Sequence, residues 1–433
     1  GEVCDQALDV LLALVSKKSK DAPHAAFCGL IRALLESCGP GRLLADGDYS
    51  LHKRLCMLFT EFGANHFYTI QGACTQACEC QDSSVRDGYL ELMASFTNYN
   101  GLVVSAQTAS FWRPFLEMQQ AETAPKMPQS VHGMLLQALA DKLAPPSDTD
   151  GDNEEDLQDR DELLKAWGRA KAKHLDLLRR LSAVDPLQAI LFAGTRWQGA
   201  LAGYVAQAAQ GQVDTRVAQD AFEALAGLLE SVMTGIPSWA LSASTAQTHP
   251  KEQVREQVVG AGGMLVTMLT EAEAAHETDL LLAGAVIRTL PLLNPYFKEH
   301  AQAAPQIISR LLSRYKNITW TPQDDATRRS LVLNARRRIS ASLVKIAQNV
   351  SGHLLPHRAG LTEQAQALLA AEAVTSDEVA HVYELLFVMT NPIPSVDDKA
   401  KFLSDILSGP VAEWRTPVMT KVLTEPQWWL QGA

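Results

Sequence analysis

The sequence predicts an all-α fold, a right-handed α-α superhelix of about eight stacked helical hairpins. Three observations predict it. Apolar residues recur every 3.6 residues through segments of roughly 15 to 25 residues. The strict alternation of a half-buried strand hardly occurs. Helix breakers return about every 20 residues, so helix pairs repeat at about 40 to 47, the period of HEAT or armadillo arrays. In such an array each hairpin hides its apolar face only by stacking on its neighbours. A single closed all-α core of this length would need long crossing connections, and the connections here are short.

Leu8, Leu11, Leu12 and Val15 form a first apolar stripe, and Leu51, Leu55, Leu58, Phe59 and Phe62 a second. Gly39-Pro40-Gly41 and Asp46-Gly47-Asp48 break the chain between them. Leu175, Leu178 and Leu181 stop at Asp185-Pro186. Ala221, Leu225, Leu228 and Leu229 come next, and Asn294-Pro295 and Thr321-Pro322 punctuate the chain beyond them. Val332, Ala335, Ile339, Leu343 and Ile346 line one helix that ends near Leu355-Pro356, and Leu385, Leu386 and Met389 line another that ends at Asn391-Pro392-Ile393-Pro394.

Residues 141–163 depart from this pattern. They hold ten acids and two bases, a net charge of -8 out of the chain's -11. Ala144-Pro145-Pro146-Ser147 opens the block, and Asp148-Thr149-Asp150-Gly151-Asp152-Asn153 has neither apolar period nor helical tendency. The organisation expected is therefore HEAT-type repeats over 1–140, an exposed, flexible acidic loop over 141–163, and further HEAT-type repeats over 164–433.

Composition narrows the function classes. With 47% hydrophobic and 20% charged residues the chain is able to bury a core, which excludes intrinsic disorder. No run of about 18 consecutive apolar residues is present, so no membrane insertion is expected. The chain opens Gly1-Glu2-Val3-Cys4-Asp5, with neither initiator Met nor signal peptide, and reads as a piece of a longer protein. Its seven Cys, an odd number, argue against a disulfide framework and for a reducing compartment. Cys74, Cys78 and Cys80, with His66 upstream, have looser spacing than structural zinc uses, and read as a helix end or loop.

Catalytic patterns are missing. There is no GxxxxGK[ST], no HExxH and no GxSxG, so neither enzymatic chemistry nor a cofactor is expected. Gly260-Ala261-Gly262-Gly263 lacks a following Lys and reads as close helix packing. Asp148-Thr149-Asp150-Gly151-Asp152 matches only part of a calcium loop, without Gly at the sixth place or Glu at the twelfth. His24, His300 and His353 fall at expected helix ends, where the dipole suits a partly charged imidazole.

Basic charge is what concentrates. Lys165, Arg169, Lys171, Lys173, Arg179 and Arg180 face only Asp176 between residues 165 and 180, a net of +5. Arg328, Arg329, Arg336, Arg337, Arg338, Lys345 and Arg358 face only Asp324 and Asp325 between 321 and 360, again +5. With Ile339 setting the buried direction and about 100° per residue, Arg329 and Arg336 fall on one flank, Arg338 and Lys345 on the other, and Arg337 points outward. Thr321-Pro322-Gln323-Asp324 is the expected helix start: N-cap, proline at the first helical position, acid near the positive end of the dipole. Such a helix suits phosphate, an acidic partner surface or plain hydration, and three consecutive Arg forks weigh against hydration alone. Aromatic residues are not expected to interleave with these bases, so stacking on single-stranded bases is not supported. Duplex RNA held through its backbone needs only well-placed positive charge. The candidate RNA- or partner-binding residues are Arg328, Arg329, Arg336, Arg337, Arg338, Lys345, Lys165, Arg169, Lys171 and Lys173.

The run Ala326-Thr327-Arg328-Arg329-Ser330 through Asn334-Ala335-Arg336-Arg337-Arg338-Ile339 to Lys345-Ile346 resembles the Arg-rich helix in the middle of the exportin-5 family, called HASTY in plants. Tyr89-Leu90-Glu91-Leu92 with Phe96-Thr97, Ser105-Ala106-Gln107-Thr108, Phe111-Trp112, Leu178-Arg179-Arg180-Leu181 and Pro410-Val411-Ala412-Glu413-Trp414 come in the matching order. The alanine enrichment and the tail Gln427-Trp428-Trp429-Leu430 depart from the animal members. The family comprises nuclear-export karyopherins of the importin-beta superfamily. The resemblance implies a middle fragment of stacked HEAT repeats from a receptor that shuttles between nucleus and cytoplasm. It also implies Ran-GTP and structured RNA cargo, pre-microRNA or tRNA-like, as partners, with nucleoporins as possible further ones. The alternative is a HEAT-repeat protein–protein scaffold in which the same arginines meet acidic surfaces.

Overall fold

The structure, a computed structural model, describes residues 2–17, 29, 32–36, 48–73, 83–121, 125–146, 153, 156–157, 159–241, 252–276, 278–300, 302–321, 323–371, 374–417 and 419. Cys74, Cys78, Cys80, His24 and the Asp148–Asp152 stretch lie outside the described residues. Within them, regular structure is helical throughout. The chain divides into two compact units, Gly1–Leu265 and Val266–Ala433.

The first unit contains α1 (Glu2–Val15), α2 (Tyr49–Ala73), α3 (Ser83–Asn98), α4 (Leu102–Gln107), α5 (Ala109–Gln119), α6 (Gln129–Asp141), α7 (Arg160–Val184), α8 (Pro186–Ala209), α9 (Thr215–Gly235) and the short α10 (Ser238–Leu241). The packing runs between helices one to three places apart: α2 on α1, α3, α4 and α5; α3 on α6; α7 on α4, α5, α6, α8 and α9. This is the neighbour-on-neighbour stacking of a HEAT-type array. The helix starts obey local chemistry. Asp159, Asp185 and Asp214 accept from backbone N–H groups in the first turns of α7, α8 and α9. Asp185-Pro186, a breaker in sequence, is thus an N-cap with proline at the first helical position. At the end of α8, Gly211 takes φ 66°, Gly211 N–H donates to Ala208 O and Gln212 N–H to Gln207 O, a Schellman ending that needs a residue without Cβ.

Aromatic packing fills the early core. Phe59, Phe62, Tyr89, Phe111, Trp112 and Phe115 are all buried. Their polar atoms are matched: Tyr89 donates to Phe59 O at 2.5 Å and Trp112 Nε1 to Thr97 Oγ1 at 2.9 Å. Fully burying one such side chain contributes about 1.5–3 kcal/mol. Cys56 sits among them, and burial pushes its thiol up to about 12, so it behaves as a small hydrophobe. Between α7 and α9 the approach is closer still, since a Cβ on Gly235 would stand 2.0 Å from the Arg179 carbonyl oxygen.

Two described residues of the acidic segment make contacts with the helices before it. Asn153 Oδ1 accepts from Leu102 N–H at 2.9 Å, and Asp156 accepts from Tyr49 OH and Lys53 Nζ. Gly101, the residue before α4, has no side chain to cap it, so Asn153 supplies that acceptor from a distant part of the chain. Helix α7 then starts at Arg160, and it packs on helices that precede the acidic segment. That segment is therefore internal to one unit.

Helix α11 (Glu252–Ala275) spans the division between the units. In the Gly260-Ala261-Gly262-Gly263 run, Ala261 and Gly262 are buried, while a Cβ on Gly260 would meet nothing within 4 Å. The second unit continues with α12 (Leu280–Thr289), a 3-10 turn at Leu290–Leu293, α13 (Asn294–Glu299), α14 (Ala303–Asn317), α15 (Ala326–Leu354), α16 (Arg358–Ala370), α17 (Ser376–Val388) and α18 (Val396–Trp414). Helix α15 is its centre, packed on α12, α13, α14 and α17. Glu273 is buried and takes Arg310 Nε at 2.7 Å and Arg314 Nε at 2.6 Å. Two helical stretches, Glu252–Ala275 and Leu280–Glu299, reach the length and mean apolarity of a membrane span, which a run-length criterion passes over. Leu280–Glu299 has 78% of that window buried within the protein, the environment of a core helix.

Candidate nucleic-acid interface

The apolar stripe of α15 is placed as expected: Val332, Ala335, Ile339, Leu343 and Ile346 are all buried. The helix starts four residues later than expected, with Asp325 as N-cap accepting from Arg328 N–H at 2.7 Å. Asp324 serves the preceding turn, accepting from Thr321 N–H at 2.7 Å and pairing with Arg328 at 3.2 Å.

One expected site residue is corrected. Arg336 is not on a solvent flank but buried, with 6% exposure. Its Nε and Nη2 donate to the two carboxylate oxygens of Glu378, each at 2.7 Å, and Nη1 donates to Tyr315 O and Ile318 O, each at 2.8 Å. The guanidinium lies over the Tyr315 ring at 5.1 Å. Arg336 thus closes the C-terminal carbonyls of α14 and holds the first turn of α17, where Glu378 also accepts from Thr375 N–H in a capping box. Burial alone would raise the Glu378 carboxyl, but the hydrogen bonds from Arg336 and from Thr375 outweigh it and hold the group below the usual range. The physical reason for the misplacement is the number of neighbours. Helices on several sides bury α15 from Ser342 round to Val344, an arc of about 200° at 100° per residue, and Arg336 falls inside it.

The other candidates on α15 remain at the surface. Arg328, Arg329, Arg337 and Lys345 are exposed. Arg338 is half-buried, its Nη1 3.0 Å from where a Cβ on Gly284 would stand, so it runs over α12. Arg337 and Lys345 have no ion-pair partner among the described residues. On α7, Lys165, Arg169 and Lys173 are exposed and likewise unpaired among the described residues, and Lys171 is half-buried over the Trp167 ring at 4.7 Å. Farther along α7, Arg179 and Arg180 are engaged internally with Asp176, at 2.6 and 2.9 Å, and Arg180 also reaches Glu117 at 2.5 Å. Burial works against the Asp176 carboxylate, but its bonds to Arg180 and Arg179 prevail and lower it.

Two aromatic residues belong to these surfaces. Trp320, 45% exposed, lies under the Arg329 guanidinium at 4.9 Å, and Trp167 lies under Lys171. The expectation that aromatic residues do not interleave with these bases is therefore corrected at Trp167, which stands between Lys165 and Arg169. Trp167 stands inside the first run and was legible at the helical i, i+4 spacing. Trp320 lies nine residues before Arg329, across a loop, and no spacing rule places it there.

A groove of about 380 Å³ between α6, α8 and α9 is lined mainly by alanine and glycine, with Arg196 and Asp141 paired at 2.5 Å. Its lining offers no convergence of nucleophile and base. Among the described residues no three His, Cys, Asp or Glu side chains gather as a metal would require, and one nitrogen of His66 is 2.9 Å from Val15 O.

Comparison with known proteins places this arrangement. The exportin-5 family model matches residues 46–431. Exportin-5 of Dictyostelium discoideum is 22% identical over 399 residues, covering 89% of this chain and 33% of that protein. Exportin-5 of Homo sapiens is 22% identical over 449 aligned residues, covering 97% and 35%. The chain spans about a third of the length of these curated relatives. The match extends over most of the helices described above and includes both basic ones, and the chain belongs to the exportin-5 family.

Proposed function

We propose that this chain forms the middle portion of a nuclear-export receptor that shuttles between nucleus and cytoplasm, and that its exposed cations meet the phosphate backbone of structured RNA cargo. Ran-GTP is the second partner of the complete receptor, and nucleoporins are transient ones. The RNA-facing residues are Arg328, Arg329, Arg337, Arg338 and Lys345 on α15, with Lys165, Arg169, Lys171 and Lys173 on α7. Arg336 is withdrawn from this set because its charge is spent inside the fold.

The observation that supports the reading is the uncompensated charge of Arg337 and Lys345 on a helix otherwise tightly satisfied. An exposed cation without a carboxylate is cheap in water, and it gains most when it displaces counterions from phosphate. The reading is tested in the full-length protein with Ran-GTP, using Arg337→Ala with Lys345→Ala. Each lost phosphate contact should weaken duplex RNA binding and lower the slope of log K against log salt by about 0.9. An unchanged affinity and slope would remove these residues from the interface. Retained RNA binding together with lost binding of acidic peptides would favour the scaffold alternative.

A further inference from the structure

Arg338 leaves α15 across a glycine. On α12, Gly284 is buried, and a Cβ on it would stand 3.0 Å from Arg338 Nη1 and 3.9 Å from both Cδ and Cζ. The outer part of the Arg338 side chain therefore lies along the bare backbone of α12, a close approach for which glycine leaves room. The register of the two helices is pinned nearby, since one turn farther along each of them Ser342 Oγ donates to Ile287 O at 2.8 Å. Leu282, Ala283, Ala285 and Val286 around the glycine are all buried, so the backbone beneath the guanidinium has no room to retreat. An arginine lying in such a seat has given up part of its rotamer freedom before any ligand arrives, which lowers the entropic cost of binding.

We propose that Gly284 is a positioning residue. By lacking a Cβ it seats the Arg338 guanidinium against α12 and so sets the point at which this charge meets a phosphate. The proposal rests on the RNA reading above, in which Arg338 belongs to the phosphate-facing set, and adds to it a residue that touches no RNA. A methyl group at position 284 stands closer to the guanidinium than the roughly 3.5–4.0 Å of ordinary contact. The packed helix cannot yield, so the flexible end of Arg338 does. That shift costs the fold little, because alanine is the better helix former in the interior of α12. What changes is where the charge stands, and a forked contact to phosphate depends on that position.

The test uses the full-length protein with Ran-GTP and a blunt duplex RNA of about 20 base pairs, comparing Gly284→Ala, Arg338→Ala and the two combined. At a slope of about 0.9 in log K per phosphate, one contact is worth about 5-fold in affinity at about 0.15 M salt. Arg338→Ala should show that whole loss and lower the salt slope by about 0.9. Gly284→Ala should weaken binding by about 2- to 5-fold, lower the slope in the same direction, and melt no lower than the parent. Added to Arg338→Ala, it should cost nothing more, because the charge it displaces is already gone. A loss that persists in the Arg338→Ala background would overturn the proposal, as would a loss accompanied by a clearly lower melting temperature. If Arg338→Ala weakens binding and Gly284→Ala leaves it at the parent's value, the seat fails and the phosphate reading stands. If Arg338→Ala binds RNA as the parent does, the phosphate reading fails at this residue and takes the seat with it.

Discussion

Replacing Arg336 with alanine should destabilise rather than merely uncharge the second unit. The guanidinium makes two bonds of 2.7 Å to Glu378 and two of 2.8 Å to the carbonyls of Tyr315 and Ile318. Removing one partner of a buried pair costs about 3–5 kcal/mol, because the remaining charge stays in a poorly solvated place. The two carbonyls also lose their donor, and these losses overlap rather than add. We expect a net cost of about 4 kcal/mol, which at an m-value of about 2 kcal/mol/M lowers the urea midpoint of this unit by about 2 M. Arg336→Lys should recover less than half, since an ammonium lacks the fork that reaches Glu378 bidentately. A double-mutant cycle with Glu378→Gln should give a coupling above about 1 kcal/mol. The folded Glu378 carboxyl is a stronger acid than in the unfolded chain, so its contribution is complete above the ordinary Glu value of about 4.3 and is lost as pH falls through the lower folded value. A midpoint within about 0.5 M of the parent would refute the reasoning. So would a variant that keeps its stability and loses only RNA affinity, because that is the signature of a phosphate contact.

The same geometry fixes other outcomes. His174 is fully buried, neither ring nitrogen has a hydrogen-bond partner among the described residues, and burial lowers its pKa to about 4. The unfolded chain therefore binds the proton first, and between about pH 6.5 and 4 stability should fall by roughly 3 kcal/mol; His174→Leu should abolish that loss and raise the melting temperature. Gly235→Ala should destabilise the first unit by about 1–3 kcal/mol or more, since the new Cβ meets the Arg179 backbone, which cannot swing aside; calorimetry reads it. Asn153→Ala should cost about 1 kcal/mol and speed amide exchange at Leu102, whose N–H it caps.

Much of this fold was legible without coordinates. A 3.6-residue apolar period, Asp-Pro and Asn-Pro breakers and a 40-residue recurrence are local signals. They sufficed for an all-α stack and for the buried stripe of α15, because a helix facing one neighbour needs only one stripe. Three readings needed the tertiary structure. Arg336 turned inward because several helices surround α15, and the buried arc widened past the flank on which a single-neighbour wheel had put it. Asn153 and Asp156 found partners because α4 had an uncapped N-terminus and α2 a tyrosine and a lysine in reach, none of them nearby in sequence. Trp320 met Arg329 from outside α15, two residues beyond the Ile318 carbonyl that Arg336 holds. Local chemistry along the chain thus determined which segments are helical and which face each buries toward a first neighbour. Which charges stay in water was decided only by the assembled helices, since desolvation depends on every surface packed around a group and not on the one helix that carries it.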